Sequence, residues 1–324
     1  MQTRTLGHTG VKLTTIGLGT WAIGGGGWEY GWGPQDDNDA IAAILTALDQ
    51  GVNWIDSAAI YGLGHSEELV GSALRQTSYE PFVATKCGLL NDAHGHIVHR
   101  LKAESIRREC EASLKRLKVE VIDLYQIHWP DPDEDIEQAW EEMAKLAGEG
   151  KIRYLGASNF SVEQIERVQR IHPVASLQPR YNMLHREVEE DLLAYCAQQN
   201  IGVVTYSPME RGLLTGKFSR ERLAALAADD HRKRMADFQE PLFSATLQLV
   251  DGLRPIAERN GRTLAQLAIS WVLRLREVTS AIVGARRPDQ IIETAPAGDW
   301  RLAGEDIEEI DRLLTERLER IKAE

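Results

Sequence analysis

Val52-Asn53-Trp54-Ile55-Asp56, Phe82-Val83-Ala84-Thr85-Lys86 and Val121-Ile122-Asp123-Leu124-Tyr125-Gln126-Ile127-His128 are apolar runs of strand length, each ending on a polar side chain. A helix-like segment, Ser66 to Leu74, lies between the first two, and another, about Lys102 to Lys118, between the second two. This order implies parallel strands joined by helical crossovers. In a parallel sheet the C-terminal ends of successive strands lie side by side. Asp56, Lys86 and His128, with Tyr61 just beyond the first run, are therefore expected to meet. An acid, a phenol, an amine and an imidazole gathered at one place make a proton-transfer site.

The alternation continues in both directions. Ile16-Gly17-Leu18-Gly19 leads through a glycine-rich loop to a helix pattern from about Asn38 to Gln50. After the third run comes a helix from Ile136 to Gly148. Ile152 to Gly156 then precedes a helix from Val162 to Ile171, and Ala175 to Gln178 one from Glu187 to Gln199. Gly202 to Tyr206 precedes a long polar and helical excursion, and Thr279 to Val283 a short helix from about Pro288 to Thr294. Eight such units in 324 residues predict a closed (β/α)8 TIM barrel, with residues 1–324 as one domain. Arg4 to Leu13, turning at Thr9-Gly10, reads as an N-terminal hairpin capping the barrel bottom, and Gly304 to Lys322 as an extra C-terminal helix. Gly51, Gly150, Gly202 and Gly261 are expected as left-handed helix caps. Leu264, Leu267, Ala268, Trp271, Val272 and Leu275 form one apolar helical stripe, a core face. Ser219 to Pro241 is polar and charged, and is expected to be a mobile loop over the barrel mouth.

Composition narrows the function. The net charge of −12 argues against nucleic-acid binding, which needs a basic footprint. No run approaches the roughly 20 apolar residues that span a bilayer, and Met1 to Leu6 lacks the apolar stretch of a signal peptide, so a soluble, cytoplasmic protein is expected. Three cysteines at wide spacing, Cys87, Cys110 and Cys196, fit a reducing compartment. Cys87 follows Lys86, but adjacent strand residues point to opposite faces, so it is read as structural.

Catalytic groups of a (β/α)8 barrel come from the C-terminal strand ends. Here those ends are Gly19-Thr20-Trp21, Asp56, Lys86, His128, Ser158-Asn159, Gln178, Tyr206-Ser207 and Gly284. A free tyrosine titrates near pH 10, and a lysine ammonium beside it favours the phenolate. A carboxylate keeps the lysine charged and aimed, and an imidazole orients the reacting oxygen. The set is a tuned acid for a carbonyl oxygen, or a base for an alcohol. None of these groups is an electron source, which points to a bound hydride carrier.

With these motifs in place, the chain resembles the aldo-keto reductase superfamily over nearly its whole length. It is most similar to bacterial members of the general-stress-protein and glyceraldehyde-reductase type. The resemblance rests on Gly17-Leu18-Gly19-Thr20-Trp21, Ile55 to Gly62, Ser66 to Gly71, Ala84-Thr85-Lys86, Ile122 to Pro130, Gly150 to Arg153, Ser158-Asn159-Phe160, Gln178 with Tyr181-Asn182, and Gly212 to Lys217. It implies NADPH-dependent reduction of aldehydes or ketones with Asp56, Tyr61, Lys86 and His128 as a catalytic tetrad and Tyr61 as proton donor. By the same resemblance Ser158, Asn159 and Gln178 would hold the nicotinamide carboxamide and Tyr206 would stack on its ring. Ser207, Pro208, Met209, Gly212, Leu214, Gly216 and Lys217 would wrap the pyrophosphate. At the eighth strand end Gly284 would contact the cofactor, Arg286 would reach the 2′-phosphate, Gln290 and Glu293 the adenine, and Arg232 is a further phosphate candidate. Gly19, Thr20, Trp21 and Asp56 complete the expected cofactor contacts. The family often has Asn after that glutamate, whereas Thr294 stands here. NADPH is expected over NADH because a guanidinium forks onto phosphate oxygens. Trp21, Tyr61, His128 and Trp129 are expected to line the substrate pocket.

Two other patterns are set aside. Gly17-x-Gly19-x-x-Ala22 fits a dinucleotide fingerprint, but that requires a helix at the glycines, and Gly24 to Gly27 and Gly31 to Pro34 follow instead. His94, His96 and His99 lack the frame of a metal site, and no metal is expected. The rival functions are a cofactor-binding regulatory subunit of the potassium-channel β type, a sugar or alcohol dehydrogenase running oxidatively, and an aldolase forming a Schiff base on Lys86. The chain starts almost directly at its hairpin, which is read against the first. The sequence leaves the physiological substrate and the oligomeric state open.

Overall fold

Each of the eight apolar runs becomes a strand, and the strands close on themselves. The computed structural model of the chain describes residues 1–92 and 94–323. A two-stranded hairpin comes first, β1 (Thr3–Thr5) and β2 (Lys12–Thr14). The barrel strands are β3 (Ile16–Gly19), β4 (Trp54–Asp56), β5 (Phe82–Cys87), β8 (Ile122–Ile127), β9 (Ile152–Ser158), β10 (Ser176–Gln178), β11 (Gly202–Thr205) and β12 (Val278–Gly284). All pair in parallel around a closed ring, with β12 against β3 at the seam. A small antiparallel hairpin, β6 (Leu89–Asn91) and β7 (Ile97–His99), follows β5; the sequence pattern did not announce it.

The helices lie where periodicity placed them. They are α1 (Asp37–Asp49), α2 (His65–Leu74), α3 (Ala103–Leu117), α4 (Ile136–Gly148), α5 (Val162–Gln169) and α10 (Pro288–Thr294), with α11 (Gly304–Ala323) at the C-terminal end. Their starts have local causes. Asp36 accepts from the backbone N–H of Asn38 and Asp39, and Ser161 with Gln164 forms a capping box on α5. The apolar stripe from Leu264 is α9 (Leu264–Leu273), also started by a capping box, Thr263 with Gln266. Preceding it is an 18-residue helix, α8 (Leu242–Arg259).

Three expectations are corrected. The helix expected over Glu187–Gln199 is broken into a 3-10 turn, Glu187–Glu189, and α6 (Leu192–Gln198). Gly202 is not a left-handed cap: Asn200 takes that conformation, at φ 53°. Gly202 is glycine for another reason, since a Cβ there would lie 2.4 Å from a Leu6 methyl. The stretch 219–241 is folded rather than open, with α7 (Arg220–Ala224), two 3-10 turns, and Asp230, His231, Arg232, Asp237 and Phe238 buried.

The hairpin closes the barrel floor as expected. Leu6, Leu13, Trp54, Val204 and Ile282 form one apolar cluster inside it. Trp54 is fully buried, and its indole N–H donates to Thr14 O at 3.2 Å and Ser280 Oγ at 3.0 Å. The ring lies over Gly17, where a Cβ would sit 2.0 Å from it. Arg4 donates to the carbonyls of Leu273 and Leu275, both at 2.7 Å, and of Val278. The floor being filled, the open end of the barrel is the other one, where the polar strand ends converge.

Candidate active site

The segment after β4 is shaped by glycine. Gly24 and Gly62 touch backbone to backbone, so that a Cβ on Gly62 would lie 2.2 Å from the Gly24 carbonyl oxygen. Gly62, Leu63 and Gly64 all have positive φ, which turns the chain straight into α2. Glu67 anchors that helix: it is fully buried, accepts from Thr85 Oγ1 at 2.5 Å and pairs with Arg116 at 2.6 Å. Tyr61 is thereby pinned over the barrel mouth.

Beneath Tyr61 the strand ends meet. Lys86 Nζ lies 2.5 Å from Asp56 Oδ1, 2.8 Å from Ser57 O and 3.3 Å from Tyr61 Oη. Asp56 Oδ2 accepts from Gln178 Nε2 at 2.8 Å and from Gln126 Nε2 at 3.3 Å. A carboxylate only accepts, so the Gln178 amide nitrogen faces Asp56 and its carbonyl oxygen is turned away. The rings of Tyr61 and His128 meet edge to face at 5.7 Å. Asn159 laces the next strand ends together, donating to His128 O at 3.0 Å and accepting from Tyr206 Oη at 2.9 Å. Ser158 Oγ donates to Gln178 O at 2.9 Å.

Burial sets the protonation states. The Tyr61 phenol is pushed well above its ordinary value, first by loss of water and then by the Asp56 charge, so it stays protonated. Sequence reasoning had the lysine lowering that value; here it is the Arg211 charge that lowers it, and desolvation with Asp56 prevails. Loss of water also lowers the Lys86 ammonium, against the opposing pull of Asp56. Desolvation, then Lys86 and His99, holds His128 well below the usual histidine value, leaving a neutral imidazole. Burial takes Tyr206 up to about 12.

A cavity of about 870 Å³ runs across the mouth. Gly19, Thr20, Trp21, Asp56, Tyr61, His128, Trp129, Ser158, Asn159, Gln178 and Tyr206 all line it. So do Ser207, Pro208, Met209, Gly212, Lys217, Arg232, Gly284, Arg286, Gln290 and Glu293. Trp21 stacks on Tyr61, with ring centres 6.1 Å apart. Lys86 is not part of the wall: it sits behind Tyr61 with its ammonium fully engaged, which counts against Schiff-base chemistry. Leu214 and Gly216 also fall outside. The Leu214 side chain belongs to the core, and Gly216 packs on Leu264.

Beyond the strand ends the cavity wall is basic, with Lys217, Arg232, Arg286 and Arg287 on it, while Arg211 lies nearer Tyr61, 5.3 Å above the Trp21 ring. These donors, with the polar strand ends and the Tyr206 ring, suit a ligand bearing phosphates at one end and an amide-substituted ring at the other. Two of the expected phosphate groups are already engaged. Arg286 donates to Gln35 Oε1 at 2.6 Å, Trp32 O at 3.1 Å and Pro34 O, while its own backbone N–H donates to Gln290 Oε1 at 2.6 Å. Arg232 is paired with Asp230 at 2.6 Å and stacks on Trp32 at 4.4 Å. Glu293 accepts from Lys217 at 2.7 Å.

With the geometry laid out, the comparisons are decisive. The Aldo/keto reductase family pattern matches residues 15–315. The chain belongs to the aldo/keto reductase family. Aldo-keto reductase YhdN of Bacillus subtilis is 39% identical to it over 97% of this chain and 94% of that one. The NADH-specific methylglyoxal reductase of Escherichia coli is 35% identical over 97% and 98%. The solved glycerol dehydrogenase AKR11B4 of Gluconobacter oxydans superposes with a TM-score of 0.87 at 39% identity, covering 97% of this chain and 95% of the other. The chain is thus an NAD(P)H-dependent oxidoreductase with a (β/α)8 barrel. Among the described residues no helix is long and apolar enough to cross a membrane.

Sequence reasoning missed several groups in this aldo/keto reductase site. Gln126 is a glutamine inside an apolar strand, on the same face as Leu124, and that break in pattern was the available signal. Arg211, Gln35 and His231 come from loops whose folding no periodicity announced. One further polar cluster, His185, Glu210 and Asp237, has metal-capable atoms within 4.8 Å of one another. Arg180 already supplies its positive charge, at 2.8 Å from both acids, so it reads as an ion-pair lock on the loop.

Proposed function

We propose that the chain reduces aldehydes or ketones to alcohols using NADPH, with Tyr61 as general acid. The observation that carries this reading is the Asp56–Lys86–Tyr61 chain of contacts, 2.5 Å and 3.3 Å long, ending beside His128 in the cavity wall. When bound, the dinucleotide supplies the hydride. Ser158, Asn159 and Gln178 would hold its carboxamide, and Tyr206 would stack on its ring. The neutral His128 orients the substrate oxygen without competing for its proton. Tyr61, protonated because it is buried, gives its proton to that oxygen. Lys86 steadies the phenolate that forms, and Asp56, held by Gln178 and Gln126, keeps Lys86 aimed. Such placed acid catalysis contributes about 10²–10⁴-fold.

Arg286, together with Arg287 at the basic end, favours NADPH over NADH. To grip a 2′-phosphate, Arg286 gives up contacts with Gln35 and the Trp32 and Pro34 carbonyls. The same atoms run alcohol oxidation, but a phenol that holds its proton is poorly suited to act as the base.

The test follows loss of reduced-nicotinamide absorbance with each cofactor and a panel of aldehydes. Tyr61→Phe is expected to keep cofactor affinity and to lose turnover by about a thousandfold. Unchanged turnover would sink the mechanism, and equal efficiency with both cofactors would sink the NADPH preference.

A further inference from the structure

Behind the strand ends that line the cavity lies a glutamine that never reaches it. Gln126 is fully buried and has no place in the cavity wall, yet it bridges two residues that do, Asp56 and Gln178. Its Nε2 donates to Asp56 Oδ2 at 3.3 Å, and its Oε1 accepts from Gln178 Nε2 at 3.3 Å. Gln178 Nε2 also donates to Asp56 Oδ2, at 2.8 Å, so the three side chains close a triangle. The neighbouring strand makes room for it. Gly156 on β9 is the register partner of Gln126, and a Cβ there would lie 2.8 Å from Gln126 Cγ. Leu124, two positions earlier on the same face, fills the barrel interior with no polar atom to satisfy. An amide is tolerated in such a place only where it is paired, and both polar atoms of Gln126 are.

The chemistry leaves one arrangement of these amides. The Asp56 carboxylate, paired with Lys86 at 2.5 Å, only accepts, so both glutamines turn a nitrogen toward it. Turned over, Gln126 would set its oxygen against that carboxylate and its NH2 against the NH2 of Gln178. As it stands, it takes the second N–H of Gln178, the first being held by Asp56. Two anchors in different directions fix the plane of an amide, whereas one leaves it free to turn about the bond. The Gln178 oxygen is thereby aimed. It accepts from no group among the described residues, and it is not one of the polar atoms sealed in without a partner, so it opens on the cavity that Gln178 lines.

We infer that Gln126 is a positioning residue for the cofactor headgroup: it holds the Gln178 amide so that Oε1 meets the amino group of the nicotinamide carboxamide and selects for it. This rests on the reductase reading above, in which Gln178 holds that carboxamide. An acetyl group has the shape of a carboxamide and its carbonyl oxygen, but no N–H. On an acetylpyridine ring it would cover the Gln178 oxygen without giving it a donor, and a buried acceptor left unpaired is what makes such a site discriminate. Gln126 itself touches neither ring nor substrate, so its influence passes through Gln178 and Asp56.

The experiment titrates the whole protein with NADP+ and with its 3-acetylpyridine analogue, following the quenching of tryptophan fluorescence, so that no turnover is needed. The wild type is expected to bind NADP+ about tenfold more tightly, the worth of roughly one hydrogen bond. Gln126→Met, which keeps the length of the side chain and removes both polar atoms, should cut that ratio to about threefold, by weakening NADP+ and sparing the analogue. Gln126→Glu should restore most of the ratio at pH 6, because two carboxyls this close share one proton and the protonated one offers the same donor and acceptor. A wild-type ratio retained in Gln126→Met, equal weakening of both dinucleotides, or a Gln126→Glu protein no more selective than Gln126→Met overturns the inference. A wild type that binds neither dinucleotide defeats the reductase reading itself. A Gln178→Leu variant as selective as the wild type defeats the assignment of the carboxamide to Gln178, and the inference falls with either.

Discussion

Replacing Lys86 by methionine leaves the Asp56 carboxylate, only 2% exposed, with no counter-ion and two amide donors. Removing one partner of a buried pair typically costs about 3–5 kcal/mol. Unfolding entropy near 60 °C is about 2.1 cal/mol/K per residue, or roughly 0.7 kcal/mol/K over the 324 residues of this chain. The single substitution should therefore lower Tm by about 4–7 °C. Asp56→Asn should also destabilise, since it strands the ammonium. The double variant should be more stable than either single one: asparagine still accepts from Gln178 and Gln126, and no unpaired charge remains. Differential scanning calorimetry on all four proteins closes the cycle, and the coupling should exceed about 2 kcal/mol. If the two effects simply add, or if Lys86→Met costs less than about 1 kcal/mol, the pair is not the charge-compensated unit described.

Other perturbations test other links. The Tyr61 phenol is held protonated, so its acid form persists through neutrality while its base form is scarce; carbonyl reduction should be flat from pH 6 to 8 and alcohol oxidation should climb about tenfold per pH unit. Glu109, buried beneath Gly88 and Ser105, is raised to about 7, mainly by loss of water. Folding then favours its protonated form, so its contribution is complete below about pH 4.3 and lost as pH rises through 7. The advantage of Glu109→Gln in thermal melts should therefore grow by something on the order of 3 kcal/mol between pH 4 and 8. Gly17→Ala should cost at least about 3 kcal/mol in denaturant melts, since its Cβ would lie 2.0 Å from the Trp54 ring. Gly148→Ala, in helix α4 with open space around it, should be stabilising by about 0.5–1 kcal/mol.

Where one physical rule governs, the sequence was readable. Period-2 and period-3.6 patterns located the barrel, and two helices, Ile136–Gly148 and Pro288–Thr294, fall at their expected bounds because punctuating residues flank them. The strand-end rule brought Asp56, Lys86 and His128 together, since parallel strands leave no other place for those residues. Competition between rules was harder to read. The phenol of Tyr61 lies near both an ammonium and a dry wall, and only packing shows that the wall prevails. Gly202 looked like a helix cap and instead makes room for Leu6, which lies 196 positions earlier in the chain. His231 and Arg211 sit in loops, where no periodicity relates a residue to its neighbours in space. Arg286 was read by residue type alone, which says nothing of the carbonyls that reach it first.

The seam of the barrel pairs Ile16 with Ala281 and Gly19 with Gly284. A ribosome adding about 5–20 residues per second needs some 13–50 seconds to make the second partner once the first has emerged. During that interval β3 presents a bare hydrogen-bonding edge, and Leu13 and Trp54 lack the Ile282 side chain that later covers them. The half-made chain is an open, sticky sheet, and the ring that gathers the reactive strand ends exists only in the last moments of synthesis. Production of this protein should accordingly depend more on chaperone supply and slow, cool expression than the stability of the finished barrel would suggest.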